Sequence, residues 1–373
     1  MPVSQSLTRR RWIAGASLSG IALAAETPPS IVKLPGKVRL AILGLSGHIS
    51  EILDALKVLP DVKLQAISDR NPKLLHAVGE RAGVPAEHRY GSHQDLLKRE
   101  QFEIAGICGS NGERAGLILD CTARGQHIIA EKPLAIEWPD LQKIKTALRT
   151  TRTQLTMLLP MRFWSSFVAM KQIVESGQIG EIAQIDAQKS YVLGDRPEWM
   201  LHRSSFGGTI PYIGVHLVDL MRFTSRRELT RVSAFQAHIG QPAAGDMENT
   251  AVTIFQLDNG ATAQMHLDYM RPATAGAHGD DRLRLAGTEG VLEYREADGI
   301  TLVTNQRKSH AISQLPHDGS LVVNFIASLY RAEPLSLTLD DIFRANEIVL
   351  TARDAANTKR VLEIRHVSSL QAG

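Results

Sequence analysis

Cysteine is scarce: 373 residues contain two, Cys108 and Cys121. Two thiols cannot build a disulfide framework, and each stands in an apolar stretch where a small buried hydrophobe is its ordinary role. Membrane-spanning runs are lacking as well. The apolar run Trp12–Ala25 counts 14 residues, short of the ~20 that a bilayer span needs, and Gly15, Ser17, Ser19 and Gly20 keep it weakly hydrophobic. An excess of charge is also missing. The chain has 42 Lys+Arg against 39 Asp+Glu, and Arg9, Arg10 and Arg11 account for the whole difference, so the basic pI carries no argument for nucleic acid. No spacing of His, Cys, Asp or Glu matches a metal motif. His278-Gly279-Asp280-Asp281-Arg282 comes nearest and reads as a loop-to-strand entry with local salt bridges. What remains is 43% hydrophobic and 22% charged residues over a length sufficient for two cores, the composition of a two-domain globular protein.

The N-terminus has three parts: a basic cluster, the uncharged run, then Glu26 and Thr27-Pro28-Pro29. That is the outline of an export signal. Thr8-Arg9-Arg10-Arg11-Trp12-Ile13 resembles a twin-arginine signal, and Ala22-Leu23-Ala24 offers a small-x-small cleavage site. The expectation is a signal over 1–25, a linker over 26–36, the twin-arginine machinery as partner and a periplasmic location. A frayed basic tail on a cytoplasmic protein is the alternative.

From residue 37 to 158 the chain reads as a doubly wound parallel sheet. Val38–Leu43 is a short β-rich run ending at Gly44, and Ile49, Ile52, Leu53 and Leu56 follow at helical spacing, the strand, glycine turn and helix that open such a fold. Strands over 62–67, 104–108, 127–130 and 155–159 alternate with helices over about 112–124 and from 139. The dinucleotide fingerprint G-x-G-x-x-G keeps only Gly44, because Ser46 and Ile49 stand where the other glycines belong. Ser46 is small, and Gly47 and His48 lead into a helix N-terminus that favours phosphate. Gly44, Ser46, Gly47, His48 and Ile49 are therefore candidate cofactor contacts, and a structural turn that binds nothing is the alternative. Asp69 stands 25 residues after Gly44, close to where an acid meets the adenosine ribose, or else it caps the next helix. Arg70 beside it suits a 2′-phosphate, so both NAD and NADP stay open.

Gly125-Gln126-His127-Ile128-Ile129-Ala130-Glu131-Lys132-Pro133-Leu134-Ala135 resembles the A-G-K-H-V-x-x-E-K-P-L-A run that closes the cofactor domain of the glucose-fructose oxidoreductase, inositol dehydrogenase and MocA family. Arg162-Phe163, Ser176–Glu181, Gly207-Gly208, Gly214–Asp219, Asp258–Ala261 and Ala286–Gly290 follow in the family's order. The resemblance implies an α/β protein: an N-terminal Rossmann domain, then a 159–366 substrate-binding domain with an open, mostly antiparallel sheet that often mediates homo-oligomers, and a short 367–373 tail. β-rich runs over 181–191, 229–239, 249–257 and 260–269 agree with it, as do helices over 321–331 and 340–357 with Thr338 or Asp340 as cap.

Carried over by that resemblance, Glu131, Lys132 and Pro133 border the nicotinamide, with Lys132 polarising the substrate oxygen, and Asn111 joins the cofactor contacts. His216 is the expected general base, its ordinary pKa near ~6.5 suiting proton transfer. Tyr212, His216 and Asp219 share one helical face at i, i+4 and i+7. The family carries an aspartate where Tyr212 stands and a histidine where Arg114 stands. A polar seam between domains is the alternative for this face. Arg162, Trp199 and Asp219 are the expected substrate contacts, an aromatic face suiting a sugar ring. The resulting expectation is an exported NAD(P)-dependent oxidoreductase of a carbohydrate or polyol hydroxyl that retains its cofactor. The alternatives are a redox-neutral lyase or glycosidase using bound NAD and a non-catalytic binding protein.

Overall fold

The computed structural model describes residues 31–364; the expected signal, the first five residues of the linker and the tail lie outside them. In the first domain, strands β1 (Val38–Leu43), β2 (Val62–Ser68), β3 (Arg89–Tyr90), β4 (Ile104–Ile107), β5 (His127–Ala130) and β6 (Leu155–Met157) pair in parallel in the order β3-β2-β1-β4-β5-β6. Helices α1 (Ile49–Leu56), α2 (Pro72–Ala82), α3 (His93–Arg99), α4 (Asn111–Ala123) and α5 (Trp138–Arg149) cross over between the strands. Because both faces are covered, β1 and β4 are apolar nearly throughout rather than alternating. This is a Rossmann sheet, and its direction of winding reverses between β1 and β4. At that reversal Gly44, with φ +84°, lies so near Gly109 that a Cβ would overlap the Gly109 backbone.

The second domain holds α6 (Ser165–Glu175), β7 (Ile182–Tyr191), α7 (Arg203–Phe206), α8 (Thr209–Ser225), β8 (Leu229–Ala237), β9 (Thr250–Leu257) and β10 (Thr262–Asp268). A meander follows, β11 (Gly279–Gly287), β12 (Gly290–Arg295), β13 (Gly299–Thr304) and β14 (Arg307–Ile312), then α9 (Leu321–Arg331), α10 (Leu339–Thr358) and β15 (Leu362–Glu363). The nine strands form one sheet, β14-β13-β12-β11-β7-β10-β9-β8-β15, antiparallel except where β7 lies parallel to β10. Along β7, Ile185, Ala187 and Lys189 point into the buried face, where α8 lies against β7, β9 and β10. Alternation puts Phe235 and Ile254 on the other, exposed face.

Thr338, not Asp340, caps α10: its hydroxyl accepts from the Asp341 backbone N–H in a reciprocal capping box. The polar stretch after His278 is already strand from Gly279, because Asp281 and Leu283 alternate inward with Asp280 and Arg282 outward. β11 carries four charges in nine residues, Asp280, Asp281, Arg282 and Arg284, which mask its alternation in the sequence.

Candidate functional site

Where the two domains meet, the carboxyl ends of β1 and β5 open on a cleft of about 450 Å³. Ser46, Gly47, His48 and Lys132 line it from the Rossmann side, and Tyr212 and His216 from α8. Tyr191, Arg196, Tyr269 and His278 close the far side.

Lys132 follows directly on β5, and its peptide to Pro133 is cis. Three side chains from other elements hold this turn. Arg114 donates from Nη1 to Pro133 O at 2.6 Å, Asn346 Oδ1 accepts from Leu134 N at 2.9 Å, and Arg353 donates to Ile136 O. Arg114 thus earns its place where the family has histidine by clamping Pro133 O and, through Nη2, Gly109 O at 2.8 Å. The Lys132 ammonium donates to Tyr212 O at 3.0 Å and sits 3.4 Å from the centre of the Tyr212 ring. In place of the family's carboxylate, the lysine therefore meets a carbonyl and a π face, which attract a cation without neutralising it. Burial pushes Lys132 down to about 7, with Arg114, Lys189 and Arg196 adding to the shift and Glu131 opposing it.

Glu131 is buried, and its Oε1 accepts from both the backbone N–H and Nδ1 of His48, while Oε2 accepts from Lys132 N at 2.8 Å. Burial raises its pKa, but His48, Lys132 and Arg114 outweigh that and hold it at about 2. The carboxylate fills the space a side chain at Gly47 would need, so glycine is required there at φ +68°. His216 is buried, with Nδ1 unpartnered among the described residues and its ring edge-on to His48 at 5.3 Å between centroids. Burial first, then Lys132, Lys189 and His48, hold its pKa well below the usual histidine range, so the imidazole is neutral.

The turn's residues suit a dinucleotide. Ser46, in the place of the second fingerprint glycine, folds its hydroxyl back onto Cys108 O at 2.8 Å, which leaves its outer side clear for a pyrophosphate. Ile49 is the buried first residue of α1. Asp69 accepts from Leu45 N and Asn71 N, each at 2.8 Å, and so ties the glycine turn to β2. The alternative that Asp69 caps α2 is overturned, since Asn71 does so, accepting from Lys73 N and Leu74 N. Arg70 is exposed and ion-paired to Glu113. Asn111 is buried, donating to Phe206 O at 2.7 Å, and joins α4 to the second domain.

Three expected substrate contacts lie elsewhere. Asp219, at i+7 from Tyr212, points away from the cleft into a buried pair with Arg162: Nε donates to Oδ2 at 3.0 Å and Nη2 to Oδ1. Arg162 also reaches Asp341 at 3.3 Å and Ser336 O at 3.0 Å. Asp219 keeps roughly the angular position of Tyr212, but seven residues carry it about 10 Å along the helix axis, beyond the cleft and into the core beside Arg162. Trp199 does not line the cleft; it packs edge-on against Tyr212 and tilted against Phe206, each at 6.4 Å between centroids. Tyr191, Arg196 and Tyr269 were missed because they come from two segments far apart in the chain, the end of β7 with its following loop and the end of β10. Only His278 carried a signal, as part of the polar patch. Its neighbours in that patch bind protein groups: Asp281 pairs with buried Lys189, directly opposite on β7, and Asp280 with Arg282 at 2.7 Å. Among the described residues no cluster of His, Cys, Asp or Glu is placed to hold a metal, and no helix is long and apolar enough to cross a membrane.

A family model described as an oxidoreductase family with NAD-binding Rossmann fold matches residues 38–158, and one described as the GFO/IDH/MocA C-terminal domain matches 167–293. The chain is 24% identical over 347 residues to myo-inositol 2-dehydrogenase of Thermotoga maritima, across 88% of this chain and 99% of that protein. It is also 24% identical over 259 residues to inositol 2-dehydrogenase of Rhizobium meliloti, across 68% and 74% respectively. A solved Thermotoga maritima structure ascribed to an oxidoreductase matches with a TM-score of 0.82 and 27% identity, over 87% of this chain and 100% of that one. Levoglucosan dehydrogenase solved with NADH shares the fold at a TM-score of 0.76 and 16% identity, over 89% and 100%.

Proposed function

Because the chain belongs to the glucose-fructose oxidoreductase, inositol dehydrogenase and MocA family of NAD-binding oxidoreductases, we propose that it interconverts a secondary hydroxyl and a carbonyl on a sugar or polyol. The observation that carries this is the buried Lys132 ammonium beside His216 in a cleft at the carboxyl edge of the Rossmann sheet. The inositol dehydrogenases among its relatives support the polyol class.

When bound, NAD accepts the hydride from the carbinol carbon, leaving a carbonyl. Lys132 and His216 divide the work on the hydroxyl. The sequence assigns the base to His216 and polarisation to Lys132; burial favours the reverse for the proton. A lysine at about 7 is largely a free amine just above neutrality and takes the hydroxyl proton at Nζ. His216, held neutral, accepts or donates one hydrogen bond that orients the substrate oxygen. In the reductive direction the Lys132 ammonium returns the proton to the forming alkoxide and stabilises its charge. Tyr212 serves as the π floor under that ammonium.

The twin-arginine-like text over 8–13 supports export, and a protein exported folded has reason to retain its NAD. Whether the hydride is passed to a second sugar or returned to the first substrate decides between net redox and redox-neutral chemistry. The exposed Phe235 and Ile254 on the open sheet support a homo-oligomer. The test is to purify the full chain without added cofactor, release nucleotide with acid, and follow absorbance at 340 nm with polyols. Bound or bindable NAD together with Lys132-dependent reduction supports the reading; failure to bind NAD sinks it.

A further inference from the structure

The far wall of the cleft differs from the wall that does the chemistry: it offers hydrogen-bond donors and an unpaired cation. Arg196 is fixed by its Nε donating to Leu193 O at 2.8 Å, by Nη1 against Met200 Sδ at 3.5 Å, and by its face lying 4.1 Å from the Tyr269 ring centre. Among the described residues no carboxylate lies within 4.0 Å of it, as none does of Lys132. The guanidinium is therefore pre-positioned but not neutralised.

Tyr191 stands beside it with a defined polarity. Lys189 Nζ donates to the Tyr191 hydroxyl oxygen at 2.8 Å, so the hydroxyl keeps its own hydrogen free to donate. Lys189 is itself neutralised by Asp281 and is buried beneath the wall, so it serves this orientation rather than the ligand. His278 stacks on the Tyr191 ring at 5.0 Å and fixes the ring's plane. The one acid on the cleft's lining is Asp195, exposed to solvent on the same loop, where water screens it. Glu131 is consumed by His48 and the Lys132 backbone.

A neutral polyol would bring as many donors as acceptors to a wall that mostly donates. A carboxylate brings acceptors only, in the planar geometry a guanidinium matches. We infer that the substrate is a carboxylate-bearing sugar or polyol, an aldonate or uronate, whose acid group is held by Arg196 and the Tyr191 hydroxyl while its reacting hydroxyl meets Lys132 and His216. This rests on the oxidoreductase reading of the same cleft and specifies its substrate class. A phosphate monoester, with up to two charges, would find one cation there and no second.

The experiment compares D-glucuronate with D-glucose, D-gluconate with sorbitol, and glucose 6-phosphate, in binding calorimetry and in NAD reduction by the full-length protein. Each acid is expected to exceed its neutral counterpart at least ~10-fold in kcat/KM or in affinity, the scale of a charge-assisted bidentate contact. Arg196→Gln brings the acid-to-neutral ratio to near one, and Arg196→Lys restores part of it. Tyr191→Phe lowers the ratio several-fold through KM rather than kcat. Equal handling of acid and neutral partners, failure of every acid to bind, preference for the phosphate ester, or a ratio indifferent to Arg196 would each overturn the inference. NAD binding, measured separately by NADH fluorescence, tells these outcomes apart from failure of the oxidoreductase reading itself.

Discussion

Asp219 separates a substrate residue from a structural one, and the structure gives the cost of removing it. Arg162 and Asp219 keep only 4% and 2% of their side-chain surface exposed. Truncating Asp219→Ala leaves a guanidinium in the core with Ser336 O at 3.0 Å and Asp341 at 3.3 Å as its remaining acceptors. Removing one partner of a buried pair costs ~3–5 kcal/mol, because the other charge is left uncompensated. Asp341, with 28% of its side chain exposed, compensates in part, which places the expected loss at about 3 kcal/mol, the low end of that range. With an m-value near ~3 kcal/mol/M in urea, the denaturation midpoint drops by about 1 M. KM and NAD affinity of the folded fraction stay within about twofold, since additivity holds for groups that share no contact. Replacing both partners at once, Arg162→Met with Asp219→Leu, recovers most of the loss, because two apolar groups leave no buried charge. An unchanged urea midpoint combined with a KM raised tenfold or more would refute this and return Asp219 to the substrate.

The pH dependence turns on Lys132. Oxidation needs its free amine, so kcat/KM rises with pH through a limb near 7, and Glu131→Gln moves that limb to lower pH because the carboxylate favours the ammonium; a rate profile from pH 5 to 9 checks both. Tyr212→Asp works the other way, placing a carboxylate beside the ammonium and moving the limb upward in the same profile. The stability sign is also set: a lysine at about 7 folded against an ordinary 10.5 binds fewer protons in the native state, so this group's contribution to stability rises between pH 7 and 10.5, as denaturation across that window would show. Both thiols are buried, and burial lifts Cys108 well above its ordinary range and Cys121 to about 12. A thiol reagent at pH 8 is therefore expected to label neither until denaturant is added.

Short-range order was readable along the chain. The Rossmann strands announce themselves because a sheet covered on both faces needs continuous apolar runs such as Val38–Leu43 and Ile104–Ile107, and the glycine at 44 follows from a turn that only glycine allows. Glu131-Lys132-Pro133 marked the cleft's working end by likeness to a known family, and the one-turn spacing of Tyr212 and His216 put both on the cleft side of α8. Asp219 defeated the same rule, because sharing a face says nothing of position along the axis: it lies about 10 Å from Tyr212 down the helix, where that face packs in the core against Arg162. What stands across from Lys132 was left to tertiary structure. Tyr191 ends β7, Arg196 sits on the loop after it, and Tyr269 and His278 flank the loop between β10 and β11. Their meeting depends on sheet pairing between segments ninety residues apart, as Lys189 with Asp281. The lowered basicity of Lys132 is of the same kind, since burial is a property of the folded surroundings and no local spacing encodes it.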